Sequence, residues 1–121
     1  MKRVLIAEDN RDLREIFARI FDAAHFEVKL AEDGQEAVDS LQNNPPDVIV
    51  LDINMPKLSG FEVLAHVRRQ NETRNIKVII VTGNSIAPQD PRAQYADLIL
   101  LKPVNIAELI QFANRLIEDN T

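Results

Sequence analysis

The sequence predicts an α/β fold in which helices cover both faces of a parallel five-stranded sheet. Five short apolar runs alternate along the chain with segments whose apolar residues recur at helical spacing. Most of these runs lack any polar alternation, which is typical of strands buried on both faces. Strands that alternate with helices are joined by right-handed crossovers, and such crossovers build a doubly wound parallel sheet.

The five apolar runs are the predicted strands. The second of them, Glu27-Val28-Lys29-Leu30, alternates between polar and apolar residues, as a strand near the sheet edge does. The other four are apolar throughout most of their length, and those at residues 48–51 and 77–81 are of the type that is buried on both faces. In chain order the strands span residues 3–7, 27–30, 48–51, 77–81 and 98–101.

Two helices are predicted in the first half of the chain. The second is short: it follows the break at Asp33-Gly34 and ends at the stretch 43–46, which contains two prolines. The first helix follows the first strand, and its apolar stripe is Leu13, Ile16, Phe17, Ile20 and Ala24.

Two further helices are predicted in the second half. One begins at Ser59 or Gly60 and ends near Asn71. The last helix follows the fifth strand, and Asn105 with Glu108 three residues later forms a capping box at its start.

Composition restricts the class of protein. A chain of 121 residues is long enough for one domain with a sizeable core. The net charge of -5, with Lys and Arg scattered along the chain, argues against nucleic-acid contact by this domain. The absence of cysteine excludes disulfides and thiolate sites. No apolar run is long enough for a membrane span or a secretory signal, so we expect a cytoplasmic protein without membrane contact.

Polar residues follow or end four of the strands. They are Glu8 with Asp9, Asp52, Thr82 and Lys102. The carboxyl ends of parallel strands meet at one edge of the sheet, where ligands of such folds bind. We therefore expect these side chains to share one cleft, which explains why the buried strand 48–51 ends in a carboxylate.

The chemistry of that cleft favours a divalent cation. Close carboxylates repel one another by about 4 kcal/mol per pair at an effective dielectric near 20, so protons or a cation must offset the charge. Oxygen ligands without His or Cys suit Mg²⁺. A carboxylate and Mg²⁺, with Lys102 and Thr82 opposite, match the needs of phosphoryl transfer. A carboxylate acceptor gives an acyl phosphate.

These motifs together resemble the receiver domain of two-component response regulators, over essentially the whole chain. The resemblance rests on Glu8-Asp9, on LDINMPKLSG around Asp52, on Thr82 and on Lys102-Pro103. It implies a flavodoxin-like fold with strand order 2-1-3-4-5 and a single receiver domain over residues 1–121.

The resemblance also implies the metal ligands. Asp9, Asp52 and the backbone carbonyl of Asn54 are expected to bind Mg²⁺ directly. Glu8 is expected to act on the ion through water. These four residues form the predicted metal site.

The phosphoryl chemistry is implied in the same way. Asp52 is the expected phosphoacceptor, and a histidine kinase or a phosphotransfer protein is the expected donor. Lys102 is expected to pair with the phosphoryl oxygens, Thr82 to move toward them, and the Lys102-Pro103 bond to be cis. The signal then passes to a downstream protein target or to a homodimer.

The signalling surface departs from the pattern of relatives. They usually carry Tyr or Phe three residues before the lysine, whereas this chain carries Ile99, which excludes an aromatic switch. Pro88 and Pro91 disfavour a regular helix between the fourth and fifth strands, so we expect that helix to be short, displaced or frayed. We expect this loop to move on phosphorylation, and Ile99, Phe112 and Leu116 to form a small apolar contact patch.

Two alternative functions use the same residues. A magnesium-dependent phosphohydrolase with Asp52 as nucleophile is disfavoured, because Asn54 stands where such enzymes place a second carboxylate. A pseudo-receiver would keep the site without accepting phosphate.

Two further alternatives concern one motif and the extent of the protein. Glu8-Asp9 alone is equally consistent with a helix cap. A stand-alone regulator and the receiver part of a longer protein both fit the sequence.

Overall fold

The computed structural model describes residues 1–118 and confirms the predicted fold class. The strands are β1 (Arg3–Ala7), β2 (Glu27–Ala31), β3 (Val48–Leu51), β4 (Lys77–Thr82) and β5 (Leu98–Leu101). The helices are α1 (Arg11–Ala23), α2 (Gly34–Asp39), α3 (Gly60–Arg69) and α4 (Ile106–Glu118). All strand pairs are parallel, and the strand order is β2-β1-β3-β4-β5, as expected. Within residues 1–118, every helix is too short or too polar to cross a membrane.

Each face of the sheet carries its own hydrophobic core. Side chains alternate along a strand, so Ile49 and Leu51 of β3 face one side while Val48 and Val50 face the other. The first core lies between the sheet and the helices α2 and α3. The second core lies between the sheet and the helices α1 and α4. The helices therefore cover both faces, as the sequence predicts.

The buried stripe of α1 differs from the predicted stripe. Phe17 and Phe21 are buried in the second core, and the ring of Phe21 meets Phe26 edge-on at a centroid distance of 5.0 Å. Ile16, which was expected in the stripe, is 44% exposed, whereas Arg14 is buried. Residues at spacings of three and four share a helix face, so Arg14 lies on the face of Phe17 and Phe21. Helix α1 also carries apolar residues next to its buried face, so the spacing of its apolar residues does not identify by itself which face is buried.

Helix ends follow local capping rules. Ser59 caps α3 through a capping box with Glu62, as expected for a start at Gly60. Asn105 accepts a hydrogen bond from the backbone N–H of Glu108 at 3.1 Å, which is one half of the capping box predicted for α4. Helix α2 starts after its N-cap Asp33 but already ends at Asp39. It is therefore shorter than predicted, because the predicted helix continues to the stretch 43–46.

The segment between β4 and β5 contains two short 3-10 turns instead of a helix. They span Ala87–Gln89 and Pro91–Tyr95, which confirms the effect expected of the two prolines. The guanidinium of Arg92 lies over the ring of Phe61 at 4.4 Å from the ring centroid and pairs with Asp90. These contacts pack the segment against α3.

Arg68 of α3 fastens the same segment at its far end. Its guanidinium donates to the backbone carbonyls of Arg74, Ile76 and Tyr95 at 2.9, 2.6 and 2.9 Å. It also forms an ion pair with Asp97 at 2.9 Å. The start of β5 and the end of the second turn are thus tied to α3.

The prediction that Ile99, Phe112 and Leu116 form one apolar patch is wrong. Ile99 packs against the first core, whereas Phe112 and Leu116 pack against the second. The sheet separates the two cores, so these three side chains face different sides of the molecule.

Candidate functional site

The predicted polar residues meet at the carboxyl edge of the sheet. Glu8 and Asp9 follow β1, Asp52 follows β3, Thr82 ends β4 and Lys102 follows β5. Carboxylate oxygens of Glu8, Asp9 and Asp52 all lie within 4.8 Å of one another. The convergence expected from the strand endings is therefore present.

The backbone ladder holds two of the acids side by side. In the pairing of β1 with β3, Ala7 lies opposite Leu51, and the N–H of Asp52 donates to the carbonyl of Ala7 at 3.0 Å. Glu8 and Asp52 follow these paired residues directly. Both are buried, with exposures of 2% and 5%, while Asp9 faces solvent. This is the position at which the strand order reverses, where ligands of doubly wound sheets bind.

Lys102 bridges the two buried acids. Its Nζ donates to Glu8 Oε1 at 3.1 Å and to Asp52 Oδ2 at 3.4 Å. The following Lys102-Pro103 peptide bond is cis, as expected. One ammonium faces three carboxylates when Asp9 is included, so the cluster retains uncompensated negative charge.

Burial and charge change the pKa values within this cluster. Burial, reinforced by repulsion from Asp52, raises the pKa of Glu8 to about 7, against the opposing hydrogen bonds from Asn10 and Lys102. Burial alone lowers the pKa of Lys102, but its hydrogen bond to Glu8 and the charge of Asp52 outweigh burial and raise that pKa. Lys102 thus stays charged, and Glu8 is the carboxylate that takes up a proton.

The donor set of the cluster fits a hard divalent cation. Three carboxylates supply oxygen ligands, and a retained charge together with a raised Glu8 pKa indicates that a cation is favoured there. Asn54 lies next to this group, because its N–H donates to Asp52 Oδ1 at 3.3 Å. The site can therefore hold Mg²⁺ on its solvent-facing side, where Asp9 is exposed.

Thr82 is fully buried at the end of β4. Its hydroxyl oxygen accepts a hydrogen bond from the N–H of Asn84 at 3.1 Å, and its carbonyl accepts from the N–H of Lys102 at 2.8 Å. Thr82 thus contacts both the backbone of the lysine and the loop after β4.

Two residues beside the site were not predicted from the sequence. Arg14 donates to the backbone carbonyls of Glu8 and Asp9 at 2.8 and 3.3 Å. A Cβ atom on Gly60 would collide with the backbone of Asp52, so α3 can approach the strand end only through a glycine. Two features of the sequence could have pointed to these residues. One is an arginine three residues before the buried Phe17, and the other is a glycine at the first position of a helix.

A comparison with known families and relatives agrees with this geometry. A family model described as the response regulator receiver domain matches residues 4–114. The response regulator MprA of a Mycobacterium species is 34% identical over 110 residues, which are 89% of this chain and 47% of that protein. The chain thus spans about half the length of this relative. The polar-differentiation response regulator DivK of Brucella anthropi is 30% identical over 112 residues, with 91% of each protein covered.

Solved structures show the same likeness in three dimensions. The response regulator TrrA from Thermotoga maritima, in complex with Mg²⁺ and BeF, superimposes with a TM-score of 0.88 at 31% identity. The match covers 96% of this chain and 99% of that one. The similarity therefore extends over the sheet, the helices and the cleft together.

Proposed function

This chain belongs to the family of response regulator receiver domains, and on that premise we propose that Asp52 accepts a phosphoryl group. The observation that carries the proposal is the acidic cluster of Glu8, Asp9 and Asp52, whose oxygens lie within 4.8 Å, with Lys102 in contact with Asp52. Asp52 is the acid at the end of the central strand β3, where both faces of the sheet are covered.

Asp9, Asp52 and the backbone carbonyl of Asn54 are the proposed direct ligands of Mg²⁺. Glu8 acts through water, since its carboxylate already accepts from Lys102 and from the N–H of Asn10. A bound Mg²⁺ would offset the charge of the carboxylates and of the phosphoryl oxygens. The role of the protein is to hold these ligands together at the sheet edge before the donor arrives.

The proposed transfer needs a nucleophile and a good leaving group. A carboxylate oxygen of Asp52 attacks phosphorus, the P–N bond of a phosphohistidine breaks, and the imidazole leaves with the bonding electron pair. Lys102 already contacts Asp52 Oδ2 and stays charged, so it can pair with the phosphoryl oxygens. Thr82 supplies a hydroxyl from the neighbouring strand end.

The proposed donor is a histidine kinase or a phosphotransfer protein, and the proposed location of the chain is the cytoplasm. The proposed output is contact with a downstream protein target or with a second copy. The domain assists its own phosphorylation and dephosphorylation through Mg²⁺, Lys102 and Thr82. It is therefore proposed as a signalling domain rather than as an enzyme that acts on a separate substrate.

Labelling with acetyl phosphate tests the proposal. Wild-type protein with Mg²⁺ is expected to gain one acyl phosphate, detected by intact mass, and Asp52→Asn is expected to gain none. Asp47→Asn is the matched control, because Asp47 is an exposed aspartate at the opposite end of the same strand. Labelling that persists in Asp52→Asn, or that needs no divalent ion, contradicts the assignment. An unlabelled wild type that still binds Mg²⁺ would identify a pseudo-receiver.

A further inference from the structure

We propose that Arg14 is a positioning residue for the metal site, and that it acts by fixing the backbone of the acidic pair Glu8-Asp9. The inference rests on the proposed function, because it assigns the pair to Mg²⁺. Arg14 Nη1 donates to the carbonyl of Glu8 at 2.8 Å and to that of Asp9 at 3.3 Å. One guanidinium thus bonds to both residues at the junction of β1 and α1.

The burial of Arg14 shows which of its contacts matter. Only 8% of the residue is exposed, on the face of α1 that otherwise presents Phe17 and Phe21 to the core. A charge in such a place is costly unless it is paired and hydrogen-bonded. Its ion pair with Glu32, at 3.3 Å, involves a carboxylate that is 68% exposed, so that pair contributes little. The two backbone carbonyls are the contacts on the buried side.

The other contacts of the loop that Arg14 fixes hold Glu8 and Asn10. The N–H of Leu13 donates to Asn10 Oδ1 at 3.0 Å, and the N–H of Arg14 donates to the carbonyl of Asn10 at 2.9 Å. The N–H of Glu8 donates to the carbonyl of Ala31 at 3.2 Å, and the N–H of Asn10 donates to the Glu8 carboxylate at 3.2 Å. The carbonyl of Asp9 is held by the guanidinium. Backbone position sets the direction of the attached carboxylates, and groups that orient the ligands determine how well a metal binds.

The sign of the effect separates positioning from simple charge. A positive charge near a cation site repels the cation, so its removal alone should strengthen Mg²⁺ binding. Loss of positioning should weaken Mg²⁺ binding, because the carboxylates are no longer held in place. Removal of Arg14 is therefore expected to weaken Mg²⁺ binding, whereas a charge effect alone would strengthen it.

The experiment compares variants by Mg²⁺ titration, followed by ¹⁵N–¹H NMR shifts. We expect Arg14→Met to bind Mg²⁺ about tenfold more weakly than wild type, as is typical when a group that orients metal ligands is lost. Arg14→Lys should lie between them, because an ammonium lacks the planar fork of donors. Arg11→Met is the matched control: it removes the same charge from the same helix, from a side chain that is 80% exposed. Its affinity is expected to match wild type.

A kinetic readout excludes a purely structural role. In acetyl phosphate labelling, Arg14→Met and Arg14→Lys should need more Mg²⁺ for half-maximal rate but reach the wild-type rate at saturating Mg²⁺. Circular dichroism identifies a temperature at which the compared variants are folded. If Arg14→Met does not fold at any temperature, Arg14→Lys alone is compared with wild type. Affinity equal to or tighter than wild type in the folded Arg14 variants overturns the inference and leaves the proposed function intact. A wild type that binds no Mg²⁺ overturns both.

Discussion

A single lysine lies between two buried carboxylates and offsets part of their charge. Lys102 donates to Glu8 and to Asp52, while the third acid, Asp9, faces solvent. The ammonium cannot compensate all three acids, so the cluster also favours a proton or a metal ion. Removal of the ammonium and removal of the Glu8 carboxylate each test one side of that balance.

The first prediction concerns Lys102→Ala. The variant should bind Mg²⁺ at least as tightly as wild type, because lysine is not a ligand and its charge opposes the cation. It should be phosphorylated at least about tenfold more slowly by acetyl phosphate, because a charged donor aimed at the transferring group is lost. Mg²⁺ titration and labelling rates measure the two effects. An Mg²⁺ affinity that falls as steeply as in Asp9→Ala contradicts this division of roles.

The second prediction concerns the pH dependence of the metal-free protein. The pKa of Glu8 is raised from 4.5 to about 7 by burial and by Asp52. Between these values the folded state holds a proton that the unfolded chain has lost, so this group's contribution to stability falls as the pH rises. In EDTA, Glu8→Gln should therefore melt above wild type at about pH 8 and close to wild type at about pH 5. An equal difference in melting temperature at both pH values would argue against the shift.

Side-chain chemistry and strand ends were enough to predict most of the site. The cluster of Glu8, Asp9, Asp52 and Lys102 was expected because carboxyl ends of parallel strands converge. Arg14 was missed because its partners at the site are backbone carbonyls, which leave no mark in a residue pattern. A charged residue in a helix is ordinarily read as solvated, and only the fold shows that this one is buried.

At the scale of elements, the third prediction concerns the approach of α3 to β3. A Cβ atom on Gly60 would collide with the backbone of Asp52 and Ile53. Gly60→Ala should therefore lower the free energy of unfolding by about 1–3 kcal/mol, as overpacking does, and should slow phosphorylation of Asp52. Gly83→Ala is the matched control, since a Cβ atom at that position would point into open space. Equal urea midpoints and m-values for the two variants would contradict the close approach.

The elements themselves were predicted best where burial leaves little choice. All five strands were located to within a residue. The inner strands β1, β3 and β4 are apolar runs buried almost throughout, as strands covered on both faces are, whereas the edge strands β2 and β5 are partly exposed. The stripe of α1 was wrong at Ile16, since apolar residues beside the buried face obscure it. The early end of α2 was missed, because the prediction placed the end at the prolines, whereas the C-cap is Ser40, whose hydroxyl donates to the carbonyl of Glu36 at 2.8 Å.

At the scale of the molecule, the fourth prediction concerns the response to phosphorylation. The Thr82 hydroxyl accepts from the N–H of Asn84. If the Thr82 side chain rotates so that its hydroxyl points toward a phosphoryl group on Asp52, the loop after β4 loses the hydrogen bond from the N–H of Asn84. Binding of beryllofluoride with Mg²⁺ should therefore change amide exchange most at residues 83–90, while Phe112, which packs on the opposite core, should change little.

Asp52→Asn treated in the same way is the control for that measurement. ¹⁹F NMR reports whether beryllofluoride occupies Asp52 in the wild type. Unchanged exchange at residues 83–90 with the site occupied would rule out the loop response. A change centred on Phe112 would place the response on the other side of the sheet.

The anchor formed by Arg68 has a consequence for how this protein can diversify. Three of its four bonds go to main-chain oxygens, of which those of Arg74 and Ile76 lie before β4 and that of Tyr95 lies in the turn segment. The fourth bond is the ion pair with the side chain of Asp97. A change of the Tyr95 side chain therefore leaves the bond to its carbonyl in place, whereas a change of Asp97 removes the ion pair. Exposed positions of the two turns can thus vary in sequence while the anchor to α3 persists, provided that Asp97 is retained.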